Sequence, residues 1–351
     1  MTRLITGTGS YLPAREVTNA ELEGLVANFD AEKAGCSLDE WIHGHYGVKS
    51  RHWAADGEST GDMATQAARR ALESAGLAPD DIDLIVLSTA TSDHVAPHSV
   101  SVVQEQLGCQ AVFHQLQDAC PGFLNGLMVA DSLMENLGYR RALVIAAEKM
   151  THIVDKRDFR MIGLFADGAG AVVLEDLPTE NGYGFRSFYA GSDGKAGKAL
   201  RVPAGGTRQP ITHEALERGE HYLISDFREV YPFAVRTIQR CVEEAAARAA
   251  ISPAEVEKII PHHASANIIQ DGLAQAGVRE EQLVMSIEHM GNTSSASVAV
   301  ALDEHVRAGG MSDGDKVLML ALGGGMGWGS TVYVWAGPET VEAARKRRDE
   351  G

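Results

Sequence analysis

The stretch APDDIDLIVLSTATSD, residues 78–93, is echoed by SPAEVEKIIPHHASAN, residues 252–267, at an offset of 174 residues (252 less 78). The same offset carries ALVIAAE, residues 142–148, onto KVLMLAL, residues 316–322, without a gap. Both pairs read as short apolar strands bounded by polar residues or glycine. One constant shift over this length predicts two copies of a single folding unit; the competing reading is a chance likeness between α/β patterns. In the first copy DMATQAARRALESAGL is an amphipathic helix leading into a strand at 84–88. A helix at 100–107, a strand at 111–115, an apolar helix at 121–137 and a strand at 142–147 follow. The second copy predicts a helix over about 230–250, a strand at 258–262, helices from about 266 and at 292–308, and strands near 316–320 and 330–335. Strands alternating with helices of this length predict largely parallel sheets covered by helices, an α/β fold. Residues 182–227, with GSDGKAGKALRVPAGGTRQP at their centre, break the pattern and read as a connecting hairpin and loop over an entrance.

Chemistry is concentrated at three element ends. In LQDACPGFLNGL, residues 116–127, Pro121 suits a first helical position, which makes Cys120 the N-cap. Free N–H groups and the helix dipole there favour a thiolate; the alternative is a buried cysteine acting as a small hydrophobe. The repeat places Ser294 at the position equivalent to Cys120, and His262 at the end of the strand equivalent to 84–88, while Asn292 precedes Ser294 at the same helix start. Reactive groups of α/β sheets collect at strand C-termini and helix N-termini, so Cys120, His262 and Asn292 are candidates to converge. The run ALGGGMGWGS, residues 321–330, is either a backbone donor loop forming an oxyanion hole with the Cys120 N–H or a tight strand-to-strand turn. GTGSYL at Gly7 lacks the third glycine of a dinucleotide fingerprint.

Composition narrows the partners. The chain has 31 Lys plus Arg against 48 Asp plus Glu, a net charge of −17, which repels nucleic acid and anionic membranes. The single concentrated basic run, Arg345 to Arg348, reads as a solvated, frayed tail. No leader-like apolar core and no window of about 18 apolar residues occur, which predicts a cytoplasmic protein. Cys36, Cys109, Cys120 and Cys241 lack a C-x-x-C pair, so free thiols are expected, and zinc is not.

Taken in order, GTGSYLP, VTNAEL, DEWI, DACPGF, PHHASANII, GNTSSASVAVALDEHV and GGGMGWGS resemble the β-ketoacyl-[acyl-carrier-protein] synthase III family of the thiolase superfamily. The resemblance runs from about Leu4 to Trp335. It implies a thiolase-like five-layered αβαβα fold from two duplicated halves: residues 1–178 with the nucleophilic cysteine, 179–338 with the histidine and asparagine, then a charged tail at 339–351. It further implies a homodimer, a catalytic triad of Cys120, His262 and Asn292, and an oxyanion hole from the N–H groups of Cys120 and Gly324. An acyl group from coenzyme A or an acyl carrier protein would load onto Cys120 and then condense with a decarboxylating malonyl thioester, with no permanently bound cofactor. The second reactive cysteine of a thiolase proper is missing from GGGMGWGS.

Several positions depart from the family pattern. At the substrate entrance, His45 follows Trp41 where an arginine is usual, Tyr231-Pro232 stands where Phe-Lys is usual, and Asn267 replaces an arginine. Arg160 and Lys156 are candidates to compensate, and Ser265 occupies a usual asparagine position. Ala96, in HVAPHS, replaces a bulky phenylalanine that reaches the partner subunit's acyl pocket; with Phe123 it is the candidate acyl-pocket lining. These changes predict a specialised relative that takes an acyl group larger than acetyl. Two alternatives are non-decarboxylative transfer of the acyl group to a hydroxyl or amine of a natural-product scaffold, and a non-catalytic partner subunit of a ketosynthase heterodimer.

Overall fold

The computed structural model describes residues 2–179 and 182–350. A five-stranded sheet runs in the order Thr2–Tyr11, Asp167–Leu177, Arg141–Lys149, Leu84–Ser88, Val112–Leu116. A four-stranded sheet runs Lys258–Pro261, Lys316–Gly323, Gly327–Val334, Gly184–Ser192. Side chains alternate between faces along the central strands. Leu84 and Val86 face the space between the sheets while Ile85 and Leu87 face outward, and Ala142, Val144 and Ala146 alternate likewise with Leu143, Ile145 and Ala147. Both faces are covered, which is why these segments are continuously apolar in sequence.

Helices Gly122–Leu137 and Ser297–Arg307 contribute the core between the sheets. Thr60–Ala75 and Ser99–Leu107 cover the outer face of the first sheet, and Phe227–Arg248 and Ala266–Leu273 cover that of the second. The result is a thiolase-like five-layered αβαβα arrangement. Cys120 and Ser294, separated by 174 residues, meet with Sγ and Oγ 3.6 Å apart, so equivalent helix starts of the two halves face one another. GTG at Gly7 is a packing device: a Cβ at Gly7 would sit 2.3 Å from Ala71 O and one at Gly9 2.4 Å from Ala67 O. The Thr60–Ala75 helix lies that close to the strand.

Three expectations are corrected. The sheets are mixed, with parallel pairing confined to the strands joined by helical crossovers, whereas Lys316–Gly323 turns directly into antiparallel Gly327–Val334. Within 182–227, Gly184–Ser192 is an edge strand of the second sheet; the remainder holds a two-stranded ladder of Leu200–Arg201 with Ile224–Ser225 and a short helix, His213–Glu217. The basic tail is a helix, Pro338–Glu350, rather than a frayed end. It docks because the Glu175 carboxylate, fully buried, receives Arg345 and Arg348 together with Arg141.

Candidate active site

Cys120 follows the Val112–Leu116 strand through a residue of positive φ, Ala119 at 49°. The helix begins one residue later than expected: Pro121 is the N-cap and Gly122 the first helical residue. The start is wedged against a neighbouring strand, for a Cβ at Gly122 would fall 1.8 Å from Ser88 Oγ. Opposite the thiol lies Gly323, where a Cβ would stand 2.5 Å from both Cβ and Sγ of Cys120. Backbone N–H groups of Gly324 and of Cys120 itself favour the thiolate, as does Ser294. Burial outweighs them and pushes the thiol up to about 11, so the expected lowering by the helix start does not hold in the free protein.

His262 terminates the Lys258–Pro261 strand and donates its backbone N–H to Leu320 O at 2.7 Å. Its Nδ1 lies 2.7 Å from Ser297 Oγ, which also receives the His263 N–H at 3.3 Å and sits 3.0 Å from Ser294 O. Burial pushes the ring down to about 3, leaving it neutral at physiological pH. Asn292 is stitched to the chain at 164–166 by its N–H to Leu164 O and its carbonyl from Ala166 N–H, both 2.9 Å. Its Oδ1 accepts the Ser294 N–H at 2.8 Å, which orients the amide.

Cys120, His262 and Asn292 open on one cavity of about 360 Å³, walled by apolar groups such as Leu164, Phe165, Leu200 and Met326. Behind the thiol, Ser294 Oγ donates to the buried carboxylate of Glu148 at 3.4 Å.

Two family profiles match the chain: the C-terminal region of 3-oxoacyl-[acyl-carrier-protein] synthase III at residues 246–335, and 3-oxoacyl-[acyl-carrier-protein] synthase III at residues 115–194. A β-ketoacyl-[acyl-carrier-protein] synthase III of Caldanaerobacter subterraneus is 39% identical over 333 residues, covering 95% of this chain and 97% of that protein. The chain belongs to the β-ketoacyl-[acyl-carrier-protein] synthase III family. Among solved structures, a synthase III from Aquifex aeolicus superposes with a TM-score of 0.84 at 34% identity, covering 95% of this chain and 100% of that one. The priming β-ketosynthase of a polyketide biosynthetic pathway superposes with a TM-score of 0.85 at 32% identity, covering 96% and 97%.

In this synthase III family member, Trp41, His45, Arg160 and Asn267 line the same cavity as the three central residues. Trp41 and His45 come from the capped helix Leu38–Tyr46; their rings stack with centroids 4.1 Å apart, and His45 Nδ1 lies 2.8 Å from Trp41 O. Asn267 Nδ2 donates to Gly44 O at 3.3 Å. Pro232 does not line the cavity: it sits exposed within the Phe227–Arg248 helix, whose Tyr231 and Phe233 face inward instead. Phe123 does not line this cavity, because the helix turns it into the core between the sheets. Ala96 is exposed on a loop outside the cavity. Lys156 lies over the Trp53 ring rather than at the entrance. Ser265 caps the Ala266–Leu273 helix by accepting the Ile268 N–H.

The sequence reasoning missed Glu148, Ser297 and Gly323. It also missed a polar recess that shares Arg160 with the cavity mouth and adds Lys198, Arg201 and Arg228. Lys198 and Arg201 of this recess come from the segment read as a loop, where no periodicity marks them. Glu148 carried one visible signal, a carboxylate closing the apolar run ALVIAAE.

Proposed function

We propose that this protein is an acyl-transferring condensing enzyme that loads an acyl group onto Cys120 and joins it to a decarboxylating malonyl thioester. The observation that carries this reading is the opening of Cys120, His262 and Asn292, from separate halves, on one apolar cavity. In the first half-reaction the Cys120 sulfur attacks the donor thioester carbon, and the coenzyme A or carrier-protein thiol departs. The N–H groups of Cys120 and Gly324 receive the developing oxyanion, each worth about 3–4 kcal/mol in comparable sites.

In the second half-reaction, His262 and Asn292 hold the malonyl thioester carbonyl. The Ser297 hydroxyl lies between Nδ1 and the Ser294 carbonyl, and in the tautomer in which it turns to Nδ1 the neutral ring carries its proton on Nε2 and is a donor there. With Oδ1 of Asn292 taken by the Ser294 N–H, the amide nitrogen is the donor available to a substrate carbonyl. The carbon–carbon bond to the carboxylate breaks, carbon dioxide leaves, and the electron pair passes to the enolate stabilised by these two donors. The enolate carbon attacks the acyl carbon, and the Cys120 sulfur is the leaving group. The presence of both donors favours condensation over simple transfer to a hydroxyl or amine.

The recess of Arg160, Lys198, Arg201 and Arg228, whose cations outnumber its carboxylates Asp226 and Glu229, supports an anionic pantetheinyl donor and stands in for the absent family cations at His45, Pro232 and Asn267. An acyl group larger than acetyl fits the apolar walls. Ala96 contributes to that choice through a second subunit, as the site of the missing aromatic side chain. A homodimer is supported by the Val112–Leu116 strand, an unpaired edge with Val112 46% and Phe113 36% exposed.

Intact-mass analysis after exposure to a panel of acyl thioesters tests the reading. Acylation of Cys120 by medium-chain, branched or aromatic thioesters, faster than by acetyl-CoA, is expected, followed by carbon dioxide release on adding a malonyl thioester. Faster acylation by acetyl-CoA would remove the larger-acyl part. Discharge to a hydroxylated acceptor without carbon dioxide would replace condensation by transfer.

A further inference from the structure

Glu148 ends the Arg141–Lys149 strand, fully buried, and the reaction described above leaves it unused. Its carboxylate is held by donors only. Thr91 Oγ1 (2.9 Å) and Thr89 Oγ1 (3.3 Å) donate to Oε2, the Ala90 N–H to both oxygens, and Ser295 Oγ (2.7 Å) and Ser294 Oγ (3.4 Å) to Oε1. An ionised carboxylate is acceptor-only, so this shell suits a resting negative charge. Among the described residues no cation is paired with it. Lys149, the next residue, turns away to the carbonyls of Ala55 and Glu58, and Asp167 is engaged by Thr151 and Ala54. The remaining titratable groups in line with it are Cys120, whose Sγ lies 3.6 Å from Ser294 Oγ, and His262, which lies against the Ser294 backbone and is kept neutral by burial.

A thiol beside a buried carboxylate is hard to ionise by losing its proton to water, because the site would then hold two uncompensated negative charges. Moving the proton within the site avoids this. We propose that Cys120, Ser294 and Glu148 form a proton relay, in which Glu148 is a positioning residue that receives the thiol proton through the Ser294 hydroxyl. The S–H bond of Cys120 breaks and its proton passes to Ser294 Oγ, while the Ser294 hydroxyl proton passes to Glu148 Oε1. The thiol and carboxylate become thiolate and carboxylic acid, and the net charge of the site is unchanged. When the donor thioester has been attacked, the departing pantetheine sulfur takes up one proton, and Glu148 returns to its ionised form. Burial raises both groups above their ordinary ranges, which brings the carboxylate toward proton acceptance. The relay rests on Cys120 being the nucleophile of the proposed reaction, but it concerns only the ionisation of the thiol.

Iodoacetamide alkylation of Cys120, followed by mass spectrometry across about pH 6 to 8, tests the relay without any acyl substrate. Two groups sharing one proton have a thiolate–carboxylic acid fraction independent of pH between their two titrations, so the wild-type rate is expected to be flat. In Glu148→Gln the acceptor is gone, and the rate is expected to fall about tenfold or more at neutral pH and to climb about tenfold per pH unit. Ser294→Ala breaks the middle of the relay, is expected to behave alike, and covers the case in which the Gln variant does not fold. A wild-type rate that itself climbs tenfold per unit, variants as flat as wild type, or faster labelling in Glu148→Gln from simple removal of a negative charge would each overturn the proposal. Failure of acyl loading with a normal alkylation profile would instead count against the proposed function alone.

Discussion

At Cys120 two effects oppose one another: burial raises the thiol, while two backbone N–H groups and Ser294 lower it, and burial prevails in the free protein. The expectation of an activated N-cap thiol rested on the free N–H groups and dipole of the helix start and left burial out. It missed that Pro121 caps the helix and that the thiol is buried with Gly323 packed against it. The close approach makes Gly323→Ala a sharp test. A Cβ there would displace the sulfur, and a displacement of about 1 Å costs on the order of a hundredfold in acylation rate while far-UV circular dichroism stays unchanged. His262→Ala should separate the half-reactions, with acylation of Cys120 retained and malonyl-dependent release reduced about a hundredfold or more in single-turnover assays. That Cys120, His262 and Asn292 open on one cavity was legible because a fixed repeat offset put them at matching element ends. Glu148 was not, because its role depends on which hydroxyls surround it in space.

At the scale of elements, the central strands and the two inner helices were legible from apolar runs that repeat. Boundaries moved by one to five residues: the helix expected from Asn292 starts at Ser297, after a single 3-10 turn at Ser294–Ala296. Pro232 and Phe123 show the limit. Their neighbours suggested the site, but helical rotation turns Pro232 to solvent and Phe123 into the core. The C-terminal helix was illegible for a different reason: its partner, Glu175, lies on a strand far away in sequence. Arg345→Ala leaves that buried carboxylate short of a partner, and urea unfolding should show a loss of about 1–2 kcal/mol. If the Val112–Leu116 edge strand is the interface of the proposed homodimer, Phe113→Lys should yield a monomer in sedimentation velocity where the wild type sediments as a dimer, with the fold retained.

For the whole molecule, the two sheets and the shared helical layer bury His262 and His263 together, and burial pushes both down to about 3 from an ordinary value of 6.5. A histidine held neutral by folding binds fewer protons than the unfolded chain does. Its contribution to stability is therefore complete above about pH 6.5 and is lost as the pH falls toward 3, by about 1.4 kcal/mol per pH unit for each ring. Urea midpoints should drop from pH 7 to pH 5, and His263→Gln should flatten that drop. The same burial keeps the His262 ring neutral near pH 7, which ties the stability of the molecule to its proposed chemistry. The most direct test of that chemistry is one intact-mass experiment with carbon dioxide capture, on the wild type and on Cys120→Ala. The account predicts a single acyl adduct on Cys120 that disappears, with one carbon dioxide released per adduct, when a malonyl thioester is added, and neither event in the variant. Turnover that survives in Cys120→Ala would contradict it.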